Sequence, residues 1–279
     1  IVAQGELLST YMVNAYLNQE GIRSALLPAL SFMRIDSANE PNMDYIKTHF
    51  DSVFKATSEA DIYITQGFIC IDDNDEVSNL QRGGSDYTAT IIGAAIQAEE
   101  VQIWTDIDGM HNNDPRHVEN TKPISNLSFD EAAELAYFGA KILHPQTVTP
   151  VRKDCIPVRL KNTMAPEAYG TLISNATSEN GVKAIAAKDN ITAIKIKSGR
   201  MLQAHGFLRK VFEIFETYET SIDMITTSEV AVSLTIDDDK NLDKIDNQNS
   251  YCFSNTFPIQ SLQIITKYQH IHPRIDRLF

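Results

Sequence analysis

Arg82-Gly83-Gly84-Ser85-Asp86, followed at once by the Ala/Ile-rich run from Tyr87 to Gln97, gathers a guanidinium, two glycines, a hydroxyl and a carboxylate at the start of a helical stretch. Two glycines let a backbone turn tightly and come close to a ligand. The first amides of the following helix have no partner within it and point at whatever anion lies there. Arg82 adds a forked positive charge and Ser85 a hydroxyl. The pattern describes an anion pocket built at a helix start, although a loop that only caps a helix has the same composition. Downstream, Thr105-Asp106 at a strand end, the Asp114-Pro115-Arg116 loop and Lys141 are candidates to converge on it, because ligands in open α/β folds collect at the carboxyl ends of strands. Singly, each has a structural reading as well: Asp106 capping a turn, Arg116 in a solvated ion pair, Lys141 facing water near a helix end.

The elements that must position these residues alternate in type. Gly5 to Glu20 reads as helix, and Asp61 to Ile71 is β-branched and short enough for one buried strand ending near Gly67. After the Gly-Gly loop and its helix comes a strand, Val101 to Ile107, then a loop from Asp108 to Arg116 rich in turn residues. Ser128 and Glu131 form a capping box for a helix running to about Leu143, which Pro145 helps to stop. This alternation predicts an α/β layer fold over residues 1–177. Between about 190 and 240 the rhythm changes. Ile191 to Ile196 and Val230 to Ile236 alternate like half-buried strands, and between them Phe207, Val211, Ile214, Phe215 and Tyr218 share one helical face. Strand, helix, strand over some fifty residues suits a small α+β module with that stripe as its core. Residues 246–279 are polar, carry no period and no motif, and are left unassigned.

Composition narrows the partners. A chain of 279 residues with 43% hydrophobic content can build about two domains. A net charge of −13 argues against nucleic acid, so any positive field for an anionic ligand has to be local. Cys70, Cys155 and Cys252 are odd in number and form no CxxC pair, which speaks against a disulfide framework or a zinc site and suits a reducing cytosol. No apolar run approaches the roughly 18 residues of a membrane span, and no signal peptide is present.

Taken together the blocks resemble a family. Gly5-Glu6-Leu7-Leu8-Ser9-Thr10, Ile64-Thr65-Gln66-Gly67-Phe68, Arg82 to Thr88, Ile103-Trp104-Thr105-Asp106, Asp114-Pro115-Arg116 and Phe138-Gly139-Ala140-Lys141-Ile142-Leu143-His144-Pro145 are similar, in order, to aspartate kinases of the amino-acid kinase superfamily. Gly206-Phe207-Leu208 and the run from Ser221 to Glu229 resemble an ACT domain, the amino-acid sensor of these enzymes. The resemblance implies a partial three-layer amino-acid kinase domain over 1–177 and an ACT-like regulatory domain over 178–245. It implies that ATP, with Mg2+, phosphorylates the side chain of L-aspartate to 4-phospho-L-aspartate, the entry to lysine, threonine and methionine synthesis. Glu6, Arg82, Gly83, Ser85 and Asp86 match positions that hold aspartate or organise the reacting groups, with Asp86 as the catalytic candidate. Thr105, Asp106, His111, Arg116 and Lys141 match the nucleotide site, His111 standing where the family usually has tyrosine. No protein metal site is implied.

Met201, Gly206, Phe207, Leu208, Asp223, Ser228 and Glu229 match positions lining the lysine pocket of lysine-sensitive members, and Thr226-Thr227-Ser228-Glu229 resembles the monofunctional type. Lysine is therefore the expected effector and a homodimer through the ACT domains the expected assembly. The Lys-Phe-Gly-Gly-Thr-Ser-type loop with which family members begin is absent from the sequence, so this polypeptide alone is expected to have little kinase activity. A non-catalytic amino-acid-sensing regulator with a degenerate kinase half is the alternative, and a superfamily member acting on glutamate, acetylglutamate or a nucleotide is a further one.

Overall fold

The expected first helix is present as α1, Val2–Gln19. The computed structural model describes residues 2–80, 83–115, 118–137, 143, 145–176, 181–186, 190–197, 205–245 and 261–265. The chain divides into two units, residues 1–186 and 187–279, so the division lies nine residues beyond the expected boundary at 177.

In the first unit, β1 (Ser24–Leu27) is followed by α2 (Met43–Ala56), whose Asn42 N-cap accepts from the Tyr45 amide at 3.1 Å. α2 carries the chain across to β2 (Ile62–Thr65), which pairs parallel to β1 with Leu27 opposite Thr65. The sequence suggests one strand from Asp61 to Ile71, but two form. β2 stops at Thr65, the chain turns through Gln66-Gly67-Phe68, and β3 (Ile69–Ile71) pairs antiparallel with β4 (Val77–Asn79). The physical cause of the break is Phe68, whose φ of 50° is left-handed and incompatible with a continuous ladder. Next come α3 (Gly84–Ile96) and β5 (Val101–Thr105). α3 is buried nearly all round, with Ile91 and Ala95 in one apolar cluster and Ala94 in the other. It lies so close to β5 that a side chain on Gly93 would collide with Val101.

β6 (Asn126–Ser128) leads into α4 (Phe129–Tyr137) through the capping box read from the sequence. The Ser128 amide donates to Glu131 Oε2 at 2.8 Å and the Glu131 amide to Ser128 Oγ at 3.2 Å. The short helix α5 (Thr149–Arg152), β7 (Val158–Asn162) and β8 (Thr171–Ser174) complete the unit. The second sheet has the order β5-β7-β8-β6, with β5 parallel to β7, β7 antiparallel to β8 and β8 parallel to β6. That pattern puts the carboxyl ends of β5 and β7 and the starts of β6 and β8 on one sheet edge.

The second unit opens with β9 (Thr192–Lys197) and α6 (Phe207–Thr217). As the periodicity predicts, Phe207, Val211, Ile214 and Phe215 are buried against Ile194, Ile196, Val232, Leu234 and Ile236. The strands β10 (Met224–Thr227) and β11 (Ala231–Ile236) follow, then helical residues 242–245, and finally β12 (Ser261–Ile265). The sheet order is β10-β11-β9-β12, antiparallel throughout. This is a split β-α-β arrangement, and its fourth strand comes from the tail left unassigned above. Five residues without alternation become a strand there because β9 offers a free edge, a partner that no local pattern reveals. Among the described residues no helix is long and apolar enough to cross a membrane.

Candidate functional site

Three separate stretches meet around Gly67. A Cβ on Gly67 would lie 2.8 Å from Ser85 Oγ and 3.2 Å from Ser85 Cα, so the turn after β2 rests closely on the start of α3 and a larger residue would push the two apart. From the other side, Glu6 on α1 accepts from the Gly67 amide through Oε1 at 2.7 Å. The turn is braced from both flanks. Buried Gln66 accepts from the Ala29 amide at 2.8 Å and donates to Thr10 Oγ1 at 2.9 Å. The Phe68 amide donates to Thr88 Oγ1 at 3.0 Å, and the same hydroxyl donates to the Gly84 carbonyl at 2.8 Å. A left-handed phenylalanine costs of order 1–3 kcal/mol and persists only where the surroundings over-determine it, as these bonds do.

Gly83 takes the N-cap of α3 with φ 68° and contributes no side-chain cap, and the first intrahelical bond runs from the Tyr87 amide to the Gly83 carbonyl at 2.8 Å. Among the described residues, no side chain of the N-cap residue takes up the amides of the first turn, which point outward from the helix start. Asp86 sits in that turn, half-buried, with no hydrogen-bond or ion-pair partner among the described residues. Burial pushes its carboxyl above the ordinary aspartate range. Glu6 and Ser85 thus flank the Gly67 turn, and Gly83 and Asp86 are Ser85's neighbours at the start of α3. Arg82 lies outside the described residues.

The nucleotide candidates lie at the end of β5. α3 packs on β5 through Gly93 and Val101, the residue that opens the strand ending at Thr105. Thr105 Oγ1 donates to Asp106 Oδ1 at 3.0 Å, and the Thr163 amide beyond β7 donates to the Thr105 carbonyl at 2.8 Å. Along the same sheet edge lies a cavity of about 430 Å³ lined by Asp108, Pro123, Ser125, Asn126, Tyr169 and Gly170. His111 stands behind Asp108. Its Nε2–H donates to Asp108 Oδ1 at 2.6 Å and its Nδ1 lies 2.8 Å from the Thr121 hydroxyl. That bond holds the Asp108 carboxyl below the usual carboxylate range. Arg116 and Lys141 lie outside the described residues. Among the described residues no group of three His, Cys, Asp or Glu side chains can hold a metal ion.

In the second unit Gly206 is the N-cap of α6, Phe207 is buried in the core and Leu208 is exposed. Ser228 and Glu229 occupy the β10–β11 hairpin, where the Ser228 amide donates to the Ala231 carbonyl at 2.8 Å. Asp223 lies at the opposite end of β10, its amide donating to the Thr235 carbonyl at 2.9 Å. Hence Asp223 and Ser228 bracket the edge strand within one chain. Met201 lies outside the described residues.

Sequence reading assigns no role to Gln66, Thr88, Asp108 or Thr121. Gln66 and Thr88 fall inside blocks that resemble the family, and the Asp108–His111 spacing of three is a weak local signal. Nothing nearby in the sequence points to Thr121.

The family model of the amino acid kinase family matches residues 1–162. The chain belongs to that family. The relatives it resembles over most of its length are aspartokinases. Chloroplastic aspartokinase 1 of Arabidopsis thaliana is 41% identical over 248 residues, covering 86% of this chain and 44% of the relative. Lysine-sensitive aspartokinase 3 of Escherichia coli K12 is 37% identical over 241 residues, covering 85% and 54%. Among solved structures, aspartate kinase of Clostridium acetobutylicum matches with a TM-score of 0.79 at 31% identity, over 95% of this chain and 60% of that one. E. coli aspartokinase III in complex with aspartate and ADP matches with a TM-score of 0.76 at 33% identity, over 94% and 60%. The chain spans about half the length of the curated relatives it matches.

Proposed function

We propose that the chain carries the aspartate-binding, nucleotide-binding and effector-sensing parts of an aspartate kinase, which transfers the γ-phosphoryl group of ATP to the side-chain carboxylate of L-aspartate. The product would be 4-phospho-L-aspartate, entering lysine, threonine and methionine synthesis. The observation that carries this reading is the packing of Gly67 on Ser85 with Glu6 behind it, which gathers the substrate candidates at one uncapped helix start. The relatives named above support it. The nucleophile, a carboxylate with pKa near 3.9, is already ionised at neutral pH, so the reaction needs no general base. What it needs is two anions held in line and the transferring charge neutralised. The amides of α3 suit the first task. In this reading Asp86 clamps the substrate ammonium, Arg82 grips a carboxylate, and Thr105, Asp106, Arg116 and Lys141 serve the nucleotide. Mg2+ would enter with the phosphates, since it keeps most of its ligands from water and phosphate oxygens. The cysteine set suits a cytoplasmic enzyme.

Lysine as feedback inhibitor is supported by the lysine-sensitive relative and by E. coli aspartokinase III, whose structure with lysine and aspartate also matches, at a TM-score of 0.72. A homodimer through the second units is supported by β10, which among the described residues is an edge strand with all four residues exposed, a surface suited to pairing about a two-fold axis.

The test is coupled ADP release with ATP, magnesium and L-aspartate, with and without lysine, on this chain and on a fusion that adds the glycine-rich lysine loop of a relative. Lysine-suppressed activity in the fusion and little in the chain alone is the expected result. Lysine binding with no ADP release in either form would favour the sensing regulator instead.

A further inference from the structure

We infer that His111 is a positioning residue of the nucleotide site, working through Asp108 and Thr121 and not by touching the nucleotide. This rests on the kinase reading above and deepens it. Between β5 and β6, residues 110–112 and 122–124 pair antiparallel as a narrow ladder. The Ile124 amide donates to the Met110 carbonyl at 2.7 Å and the Asn112 amide to the Lys122 carbonyl at 3.0 Å. Asn112 Oδ1 also accepts from the Lys122 amide at 2.9 Å. His111 sits between those rungs and cross-braces the loop.

A carboxylate accepts only, so Nε2 carries a proton toward Asp108, and Nδ1 faces the Thr121 hydroxyl, which can donate or accept. Both ring nitrogens are used, and the side chain is only 15% exposed. Neither nitrogen is left for a ligand. Asp108, by contrast, is 46% exposed and lines the cavity at the sheet edge, two residues beyond Asp106. The ring therefore fixes where the Asp108 carboxylate points and holds the two sides of the loop together. A tyrosine at this position would have to serve both partners through a single hydroxyl, where the imidazole presents a separate nitrogen to each.

The experiment is an ADP titration by calorimetry, with magnesium, on the full chain and on His111→Phe, Asp108→Ala, their double variant and His111→Gln. Each single variant is expected to weaken ADP about tenfold and the double variant little more, since coupled residues are not additive. His111→Gln, which keeps a donor for Asp108, should recover to within about threefold. Losses that multiply to about a hundredfold in the double variant mean two independent contacts and overturn the proposal. So does an unchanged His111→Phe. Thr121→Val, which replaces the hydroxyl by a methyl group of similar size, decides the matter if His111→Phe does not fold: no change in ADP affinity rejects the brace. A wild-type chain that binds no ADP overturns the kinase reading itself, a distinct outcome.

Discussion

Asp86 stands under two opposed demands. A charge in the first turn of α3 is favoured by the helix dipole, while half-burial without a partner among the described residues disfavours ionisation and raises its pKa. A carboxyl with a raised folded pKa is most comfortable protonated: the stability it adds is full below about pH 4, the unfolded value, and is lost as pH rises through the folded one. At neutral pH the charge therefore costs stability. Asp86→Asn is expected to melt about 1–3 °C higher at pH 7, with the gain shrinking on acidification toward pH 4, while losing phosphoryl transfer in an active assembly. Scanning calorimetry at the two pH values, with the ADP-release assay, measures both. A lower melting temperature at pH 7 would refute the account. At this scale the helix start at Gly83, with Ser85 and Asp86 in its first turn, is legible from residue types alone. That Gly67 lies on Ser85 is not, because the two are eighteen positions apart with two strands between them and a glycine does not name its neighbour.

Among the elements, the pairing of β5 with β7 is closed at its first rung by an ion pair. Arg159 on β7 reaches Glu100, just before β5, with Nε at 3.0 Å from both carboxylate oxygens and a terminal nitrogen at 2.8 Å from Oε2. Arg159 also lies over the Tyr169 ring, 4.6 Å from its centre. Hydrogen bonding to Arg159 depresses the Glu100 pKa. A depressed carboxyl contributes stability above its unfolded pKa of about 4.3 and loses it as pH falls through the folded value. Glu100→Gln is thus expected to cost about 1 kcal/mol at pH 7 and progressively less below pH 4, by urea titration across that range. A cost that does not change with pH would point to packing. Elements with their own signals are legible in the sequence: the capping box of α4, the apolar face of α6, the alternation in β9 and β11. β1, β4 and β12 are not, nor is the break that separates β3 from β2, since three to five residues carry no usable period and their pairing partners decide.

At the scale of the whole molecule, the second unit depends on a strand far along the chain. A chain ending at Ile245 keeps β9, β10, β11 and α6 but leaves one edge of β9 bare. Its second unit is expected to melt at least about 5 °C lower and to associate at micromolar concentration, by circular dichroism and light scattering. Unchanged melting would mean that β12 is dispensable. The expectation of two modules is legible from the change of rhythm near residue 190, but the division at 186 and the origin of the fourth strand depend on contacts distant in sequence.

That strand also sets an order of events during synthesis. Ile194 pairs with Leu234 and with Ile264, about 40 and about 70 residues further on, so the second pairing is the slower closure. At 5–20 residues per second, a ribosome completes residue 264 some seconds after residue 234. For that interval β9 has one neighbour and one open flank in a crowded cell, and chaperones have a window in which to find it.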